Sequence, residues 1–428
     1  MLSAFRNAFK VPDLRGKIFF TLGIIAIYRL GSHLPVPGVD FKAVHQFLES
    51  AGAQNNSAFT LINLFSGGAL TQFAVFALGI MPYITSSIIM QLLGVVIPRL
   101  EQLQKEGENG RKRIQQITRY VTVGLAILQS AGIVQLAHSG QILPQVDIFP
   151  GLNAGRFALA VLTLSAGTAL IMWLGELITQ RGVGNGMSIL IFSAIVARLP
   201  SEGANILRVN GGWIFGLVMA LGLLIIVAVI FVEQAQRRIP VQYAKRMVGR
   251  RMYGGQSTYI PLKVNQAGVI PIIFASSLLY LPQLLASIIH KDWLTELTDR
   301  FTRTGNHPAY ILSYFILIIL FAYFYNSIAF NPVDTADNMK KYGGFIPGIR
   351  PGRPTAEYLD HILTRITLPG ALFLAAVAIL PFIALSAGDI QQFPFGGTAI
   401  LITVGVGLET MKQIESQLLM RNYEGFLR

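Results

Sequence analysis

Two short stretches, one in each half of the chain, share an unusual pattern. Gly79-Ile80-Met81-Pro82-Tyr83-Ile84 and Gly268-Val269-Ile270-Pro271-Ile272-Ile273 both read G-x-x-P-x-I. Small polar residues follow each copy: Thr85, Ser86 and Ser87 in the first, Ser276 and Ser277 in the second. Proline in an apolar segment frees a backbone carbonyl, which a membrane tolerates only where protein or a water-filled cavity satisfies it. Interrupted apolar segments in corresponding halves point to a functional centre between inverted repeats. The chemistry on offer is non-covalent: letting something pass along a wet seam.

Covalent chemistry finds no footing. The chain has no cysteine, which removes disulfides, thiolate metal sites and cysteine nucleophiles. Its six histidines, His33, His45, His138, His290, His307 and His361, are scattered without metal-ligand spacing. Gly182-Val183-Gly184-Asn185-Gly186 is not a G-x-G-x-x-G loop, and Lys105-Glu106-Gly107-Glu108-Asn109-Gly110-Arg111 lacks the G-K-[ST] end of a phosphate loop. No Ser/His/Asp grouping is arranged for nucleophilic attack. The expectation is a protein with no enzymatic activity, cofactor or metal, whose work is driven by a partner or by the membrane potential.

The elements that position these motifs are set by composition. Of 428 residues 53% are hydrophobic and 13% charged, against about 25% charged in a soluble domain, and the mean hydropathy is +0.55. The chain reads as a polytopic membrane protein. Residues 1–17 mix apolar and basic side chains and suit an amphipathic helix lying in the cytoplasmic interface. Spans are expected at 18–36, 73–97, 116–137, 157–178, 187–200, 213–232, 266–289, 309–330, 366–386 and 396–411, with Pro82 in the middle of the second. The apolar piece 59–65, closed by Ser66-Gly67-Gly68, is too short to cross a bilayer, which needs about 20 residues; it reads as a re-entrant, plug-like segment on a glycine hinge.

Lysine and arginine fix the orientation. Of the 34, 26 fall in the N-terminus, the C-terminus and the segments 98–119, 179–186, 233–265 and 332–365, and 7 on the opposite side; Arg29, near the outer end of the first span, completes the count. Both termini are therefore expected in the cytoplasm. Two cytoplasmic loops exceed what a turn requires. Loop 233–265 alternates apolar and basic residues with turn signals at Gly249 and Gly254-Gly255, and fits a β-hairpin or a helix extension. Loop 332–365 carries Pro/Gly clusters around Arg350 and Arg353. Topogenic charge accounts for part of this, but not for the Pro, Gly and aromatic content, which suits a docking surface.

Seven stretches, in order, carry a resemblance: NLFSGGAL (63–70), FALGIMPYITSSII (76–89), KEGENGRK (105–112), WLGELITQRGVGNGMSILIF (173–192), AKRMVGRRMYGGQSTYIPLKVNQAGVIP (244–271), NPVDTADNMKKYGGFIPGIRPG (331–352) and RNYEGF (421–426). Over essentially its whole length the chain resembles the SecY family, the central subunit of the bacterial protein-conducting channel. That resemblance implies an all-α polytopic membrane protein with ten transmembrane helices in two inverted pseudo-symmetric five-helix halves around a central pore. The halves would be 18–206, holding the plug at 58–70, and 207–428, holding the two large loops.

The resemblance also implies site residues. The pore ring maps to Ile80, Ile84, Ile191, Ile273 and Ile402. β-Branched side chains are stiff at χ1, and a narrow apolar ring resists wetting. The plug and its hinge map to Phe59, Leu61, Ile62, Leu64, Phe65, Ser66, Gly67 and Gly68. A lateral gate between the second and seventh spans, flanked by the third and eighth, would use Pro82, Thr85, Ser87, Gln129, Pro271, Ser276 and Ser277, the polar ones as weak interhelical latches. Arg350 matches the family's motor-coupling arginine, and Arg237, Arg238, Arg246, Arg250 and Arg251 suit ribosomal RNA phosphate or an acidic motor surface. Arg353 and Pro354 depart from relatives that often carry an acidic residue there, which bears on motor affinity. Implied partners are SecE, SecG, the SecA ATPase, a translating ribosome, SecDF, YidC, membrane lipid, and preproteins and nascent membrane proteins as substrates; the implied location is the bacterial cytoplasmic membrane.

The alternative is an ion-coupled secondary transporter, also built from inverted repeats. Such carriers keep ionisable residues near the midplane, whereas Glu176, Glu233 and Glu409 fall near cytoplasmic ends and Asp389 in an outer loop. A non-transporting scaffold would leave the half-length segment and the paired prolines unexplained.

Overall fold

The computed structural model describes residues 9, 11–40, 66–70, 72–138, 151, 153–243, 246–248, 251–253, 257–289, 308–388 and 397–426. Helix α1 (Pro12–Gly31) opens on proline with Asp13 in its first turn. Proline loses no hydrogen bond at that position, and the carboxylate meets the positive helix end. The first span thus begins inside the segment expected to be amphipathic, 1–17, of which residues 1–8 and 10 lie outside the described residues. It also ends before 36. Residues 34–36 instead run extended beside 73–75, with Val36 N–H donating to the Phe73 carbonyl at 2.9 Å and Val75 N–H to the Leu34 carbonyl at 2.8 Å.

The second span differs most from expectation. Residues 72–80 are turns, and α2 (Met81–Val96) begins with Pro82 in its first turn, so this proline starts a helix and does not interrupt one. Helix α3 (Pro98–Lys105) follows across a bend of 104°. Pro98 forces the break, since it cannot continue the hydrogen bonding of α2. Next come α4 (Glu108–His138), α5 (Ala154–Arg181) and the short α6 (Gly186–Val196). Asn185 caps α6, its Oδ1 accepting from the Met187 and Ser188 N–H groups. Helix α7 (Leu199–Gln234) contains both the expected outer loop and the sixth span, with a break at Gly211, where φ is 81°.

Loop 233–265 resolves into a hairpin. Strands β1 (Gln236–Tyr243) and β4 (Ser257–Lys263) pair antiparallel from Gln236↔Lys263 to Gln242↔Ser257, with the small ladder β2 (Arg246–Val248) and β3 (Arg251–Tyr253) at its tip. After α8 (Ile270–Ile289), α9 (Pro308–Ala329) and α10 (Pro332–Lys341) comes β5 (Gly344–Phe345), which pairs with the other edge of β1. The two loops therefore share one sheet, ordered β4-β1-β5. Its apolar face, Ile239, Val241 and Leu262, sits on Met339, Ile346, Leu359 and Ile362. Loop 332–365 is accordingly mostly helical: α10 opens it and α11 (Arg353–Gly388) starts well before the expected ninth span. Ala356, Leu359, Ile362 and Leu363 supply the stripe that holds its first turns down. Helix α12 (Gly397–Phe426) likewise runs beyond 411.

Each expected span thus has a helix over part of it. Among the described residues, six helices are long and apolar enough to cross a membrane, or seven if the bent pair α2–α3 counts as one span. The core forms one apolar cluster in each half and a third between them. That middle cluster takes side chains from α1, α2, α5 and α6 on one side and from α8 and α12 on the other.

Candidate functional site

The two G-x-x-P-x-I stretches have the same backbone. Gly79 and Gly268 adopt φ of 57° and 59°, left-handed values that disfavour a side chain. Two residues later each chain enters its helix, at Met81 and at Ile270, with the proline second. In the first copy the N–H groups of Tyr83 and Ile84 both donate to the Ile80 carbonyl, at 3.0 and 3.1 Å. In the second, Ile272 and Ile273 both donate to the Val269 carbonyl, at 3.2 and 3.3 Å. The repeat is one of geometry, residue for residue, and it gives Ile84 and Ile273 equivalent places at the heads of α2 and α8.

All five isoleucines assigned to the ring meet in the middle cluster. Ile80, Ile191, Ile273 and Ile402 are buried in it, and half-buried Ile84 lies against it. They come from the start of α2, from α6, from the start of α8 and from α12, so residues far apart in sequence from both halves converge on one apolar locus.

Of the residues assigned to the plug, Phe59, Leu61, Ile62, Leu64 and Phe65 lie outside the described residues. The residues assigned to its hinge are described. Ser66 is fully buried, and Gly67 and Gly68 have φ of 65° and 92°. A Cβ on Gly67 would stand 3.1 Å from Ala194 Cα, a tight contact that adds to the strain a side chain would meet at this φ. The Tyr28 hydroxyl donates to the Ser66 carbonyl at 3.4 Å, and the Arg29 guanidinium reaches Gly67, Ser193 and Ala194. Sequence reasoning counted Arg29 without giving it a role. Its signal was present: an ionisable residue inside an apolar span is a functional hypothesis by default.

Helices α2 and α8 touch each other, both touch α4, and α8 lies along α9. The hydroxyls expected to latch this seam mostly bond within their own helices. Thr85 donates to the Met81 carbonyl at 2.9 Å and Ser276 to Ile273 at 2.9 Å. The bond that crosses helices comes from Ser86, whose Oγ donates to the Thr118 carbonyl of α4 at 2.8 Å. Pro82, Pro271 and Gln129 are buried and Ser87 is half-buried; the buried Ser277 Oγ finds no hydrogen-bond partner among the described residues.

The basic residues assigned to docking divide. Arg237 and Arg238 lie exposed on β1, Arg238 over the Tyr259 ring at 4.9 Å. Arg246 and Arg251 sit on β2 and β3, and Arg250 lies outside the described residues. Arg350 is exposed in the turn before α11, where the Thr355 hydroxyl donates to its carbonyl at 2.9 Å. Because β5 joins β1, the Arg350 loop and the hairpin arginines belong to one structural unit. Arg353 pairs with Glu357 in the open first turn of α11.

Two of the acidic groups weighed for ion coupling have structural partners. Glu176 holds Arg119 through two bonds of 2.7 Å between α5 and α4. Glu233 accepts from the Asn265 amide at 2.8 Å, and the same amide donates to the Gly268 carbonyl at 3.1 Å, steadying the second glycine hinge. Glu409 is exposed, and Asp389 lies outside the described residues.

A family model described as SecY matches residues 74–411. The chain is 59% identical to a protein translocase subunit SecY of Streptomyces galbus and 56% identical to that of Mycobacterium tuberculosis strain H37Rv, with 100% of each chain covered in both cases. The chain belongs to the SecY family. SecY-like folds agree: a solved protein-conducting channel covers 94% of this chain and 91% of its own at a TM-score of 0.65 and 18% identity. A Sec61 chain from a canine ribosome–channel complex gives a TM-score of 0.62 at 17% identity over 94% and 91%. At such identities the likeness is one of fold, and it extends SecY architecture to nearly the whole chain.

Proposed function

We infer that this chain is the central subunit of a Sec protein-conducting channel, passing unfolded preproteins across the bacterial cytoplasmic membrane and releasing hydrophobic helices sideways into lipid. The observation that carries this reading is the convergence of five isoleucines, from paired hinge helices and from both halves, in one apolar cluster. Stiff side chains of that kind close around a chain without bonding to it. They also repel water, and with it ions, when no chain is present.

The remaining roles follow within the same reading. The segment 58–70 is the plug, hinged at Ser66-Gly67-Gly68. The gate opens between α2 and α8, where hydrogen bonds satisfied within each helix leave little polar attraction to break. Ser86 and its bond to α4 set how firmly α2 is held. The shared sheet carries Arg237, Arg238, Arg246, Arg250, Arg251 and Arg350 to SecA or to ribosomal RNA, and SecE and SecG complete the complex. Both termini face the cytoplasm. The chain performs no reaction of its own, and the motor supplies the energy. A secondary transporter is disfavoured because Glu176 and Glu233 are already engaged in fixing helix and hinge geometry.

Proteoliposomes holding the complex and the motor ATPase test the reading. ATP-dependent uptake of a preprotein is expected; uptake of small solutes alone, or of nothing, contradicts it.

A further inference from the structure

One guanidinium ties the glycine hinge to the helix that carries a ring residue. Arg29 lies near the end of α1. Its Nη1 donates to the Gly67 carbonyl at 3.3 Å, and its Nη2 donates to the carbonyls of Ser193 at 2.7 Å and Ala194 at 3.2 Å. Both α6 carbonyls belong to the last turn of that helix. The Ser193 carbonyl also accepts from the Ala197 N–H at 3.2 Å, and carbonyls of a last turn form the negative end of the helix dipole. Among the described residues Arg29 makes no ion pair with a carboxylate. Its guanidinium hydrogen bonds go to backbone carbonyls, and its Cζ lies 5.9 Å from the Tyr28 ring centroid.

The surroundings hold it there. Tyr28 is fully buried, stacks on Phe76 at 5.8 Å between ring centroids, and donates its hydroxyl to Ser66, next to Gly67. Gly31 gives Phe76 its place, since a Cβ on Gly31 would overlap that ring. Gly67 in turn lies close enough to Ala194 that a Cβ would stand 3.1 Å from its Cα, and its φ of 65° disfavours a side chain. Ile191 of the ring stands three residues before Ala194, on the same short helix.

We propose that Arg29 is a positioning residue of the resting channel, joining the Ser66-Gly67 hinge to the end of α6 and thereby holding Ile191 in the closed ring. This rests on the reading of the isoleucine cluster as the pore constriction. A charged, planar fork of donors suits that role, since it bridges carbonyls from two separate segments. When the hinge moves away, Arg29 still has two carbonyls on α6, so the joint opens without stranding a charge in the membrane.

The test uses the assembled complex in planar bilayers, comparing Arg29→Met, Arg29→Lys and the pair Ile84→Ser with Ile273→Ser. Arg29→Met is expected to raise the resting ion conductance about tenfold, as loss of a charge-assisted hydrogen bond to the hinge would. Arg29→Lys, which keeps the charge and a donor, is expected to restore part of the seal. A wild-type conductance in Arg29→Met, while the isoleucine pair leaks, overturns the role of Arg29 and leaves the ring standing. Equal leakage from the Met and Lys variants also overturns it, since packing alone would then explain the effect. Silence in all three variants counts against the ring itself. Should Arg29→Met not assemble, Arg29→Gln takes its place; failure of both to assemble makes Arg29 a folding residue and refutes the proposal.

Discussion

At Gly186 a single methyl group decides whether two helices can meet. A Cβ there would overlap the Gly175 carbonyl oxygen and stand 2.8 Å from Ile178 Cβ, both on α5. Backbone cannot yield as a flexible side chain can. Gly186→Ala is therefore expected to destabilise by about 1–3 kcal/mol, the usual cost of overpacking, read as a lower thermal midpoint of the purified complex; an unchanged midpoint would mean α5 and α6 are not so tightly joined. The neighbouring cap gives a smaller effect: Asn185→Ala removes the acceptor for two N–H groups at the head of α6 and should cost about 1 kcal/mol. Residues of this kind are only half legible in sequence. The turn at 182–186 reads directly from its glycines, but the close approach to Gly175 depends on the angle between two helices. Arg29 was less legible still, because its partners are carbonyls, and every residue has one.

Among the elements, the two hinge helices were the most legible, since the sequence repeats their pattern. What it did not disclose is that Pro82 begins a helix. Hydropathy is continuous through 72–80, and the left-handed Phe73 and Gly79 keep the helix from starting earlier. Gly268 is the clean site at which to test the hinge, as a Cβ on it would meet nothing within 4 Å. Gly268→Ala should therefore lose stability through backbone strain alone, about 1–2 kcal/mol, and Gly79→Ala should lose a similar amount if the two hinges are equivalent. A thermal midpoint lowered by only one of the two substitutions would break the equivalence. The long α11 and α12 were foreshortened by a hydropathy reading because their outer turns are amphipathic. The joint sheet was missed for another reason: β5 is only two residues long, below any periodicity that sequence can reveal.

For the molecule as a whole, the proposed function assigns sealing to the middle cluster between the two halves and docking to the sheet β4-β1-β5. Membrane class came from composition, the expected orientation from charge, and the expected bounds of the halves from the family resemblance. The ring came from that resemblance too, since isoleucine is common in membrane spans and no spacing singles out these five. Arg350 is exposed and contributes little packing, so Arg350→Glu is expected to abolish motor-driven export while the complex is purified in normal amounts. Equal loss of complex and of export would point to a structural role instead. The central claim is that Ile84 and Ile273 face the path of a translocating chain. With no native cysteine to interfere, Ile84→Cys and Ile273→Cys can be placed singly, and a preprotein carrying one cysteine stalled in the channel. Disulfide crosslinks from the stalled chain to both positions are the predicted result; labelling of both positions by lipid-borne thiol probes, with no crosslink to the chain, would contradict it.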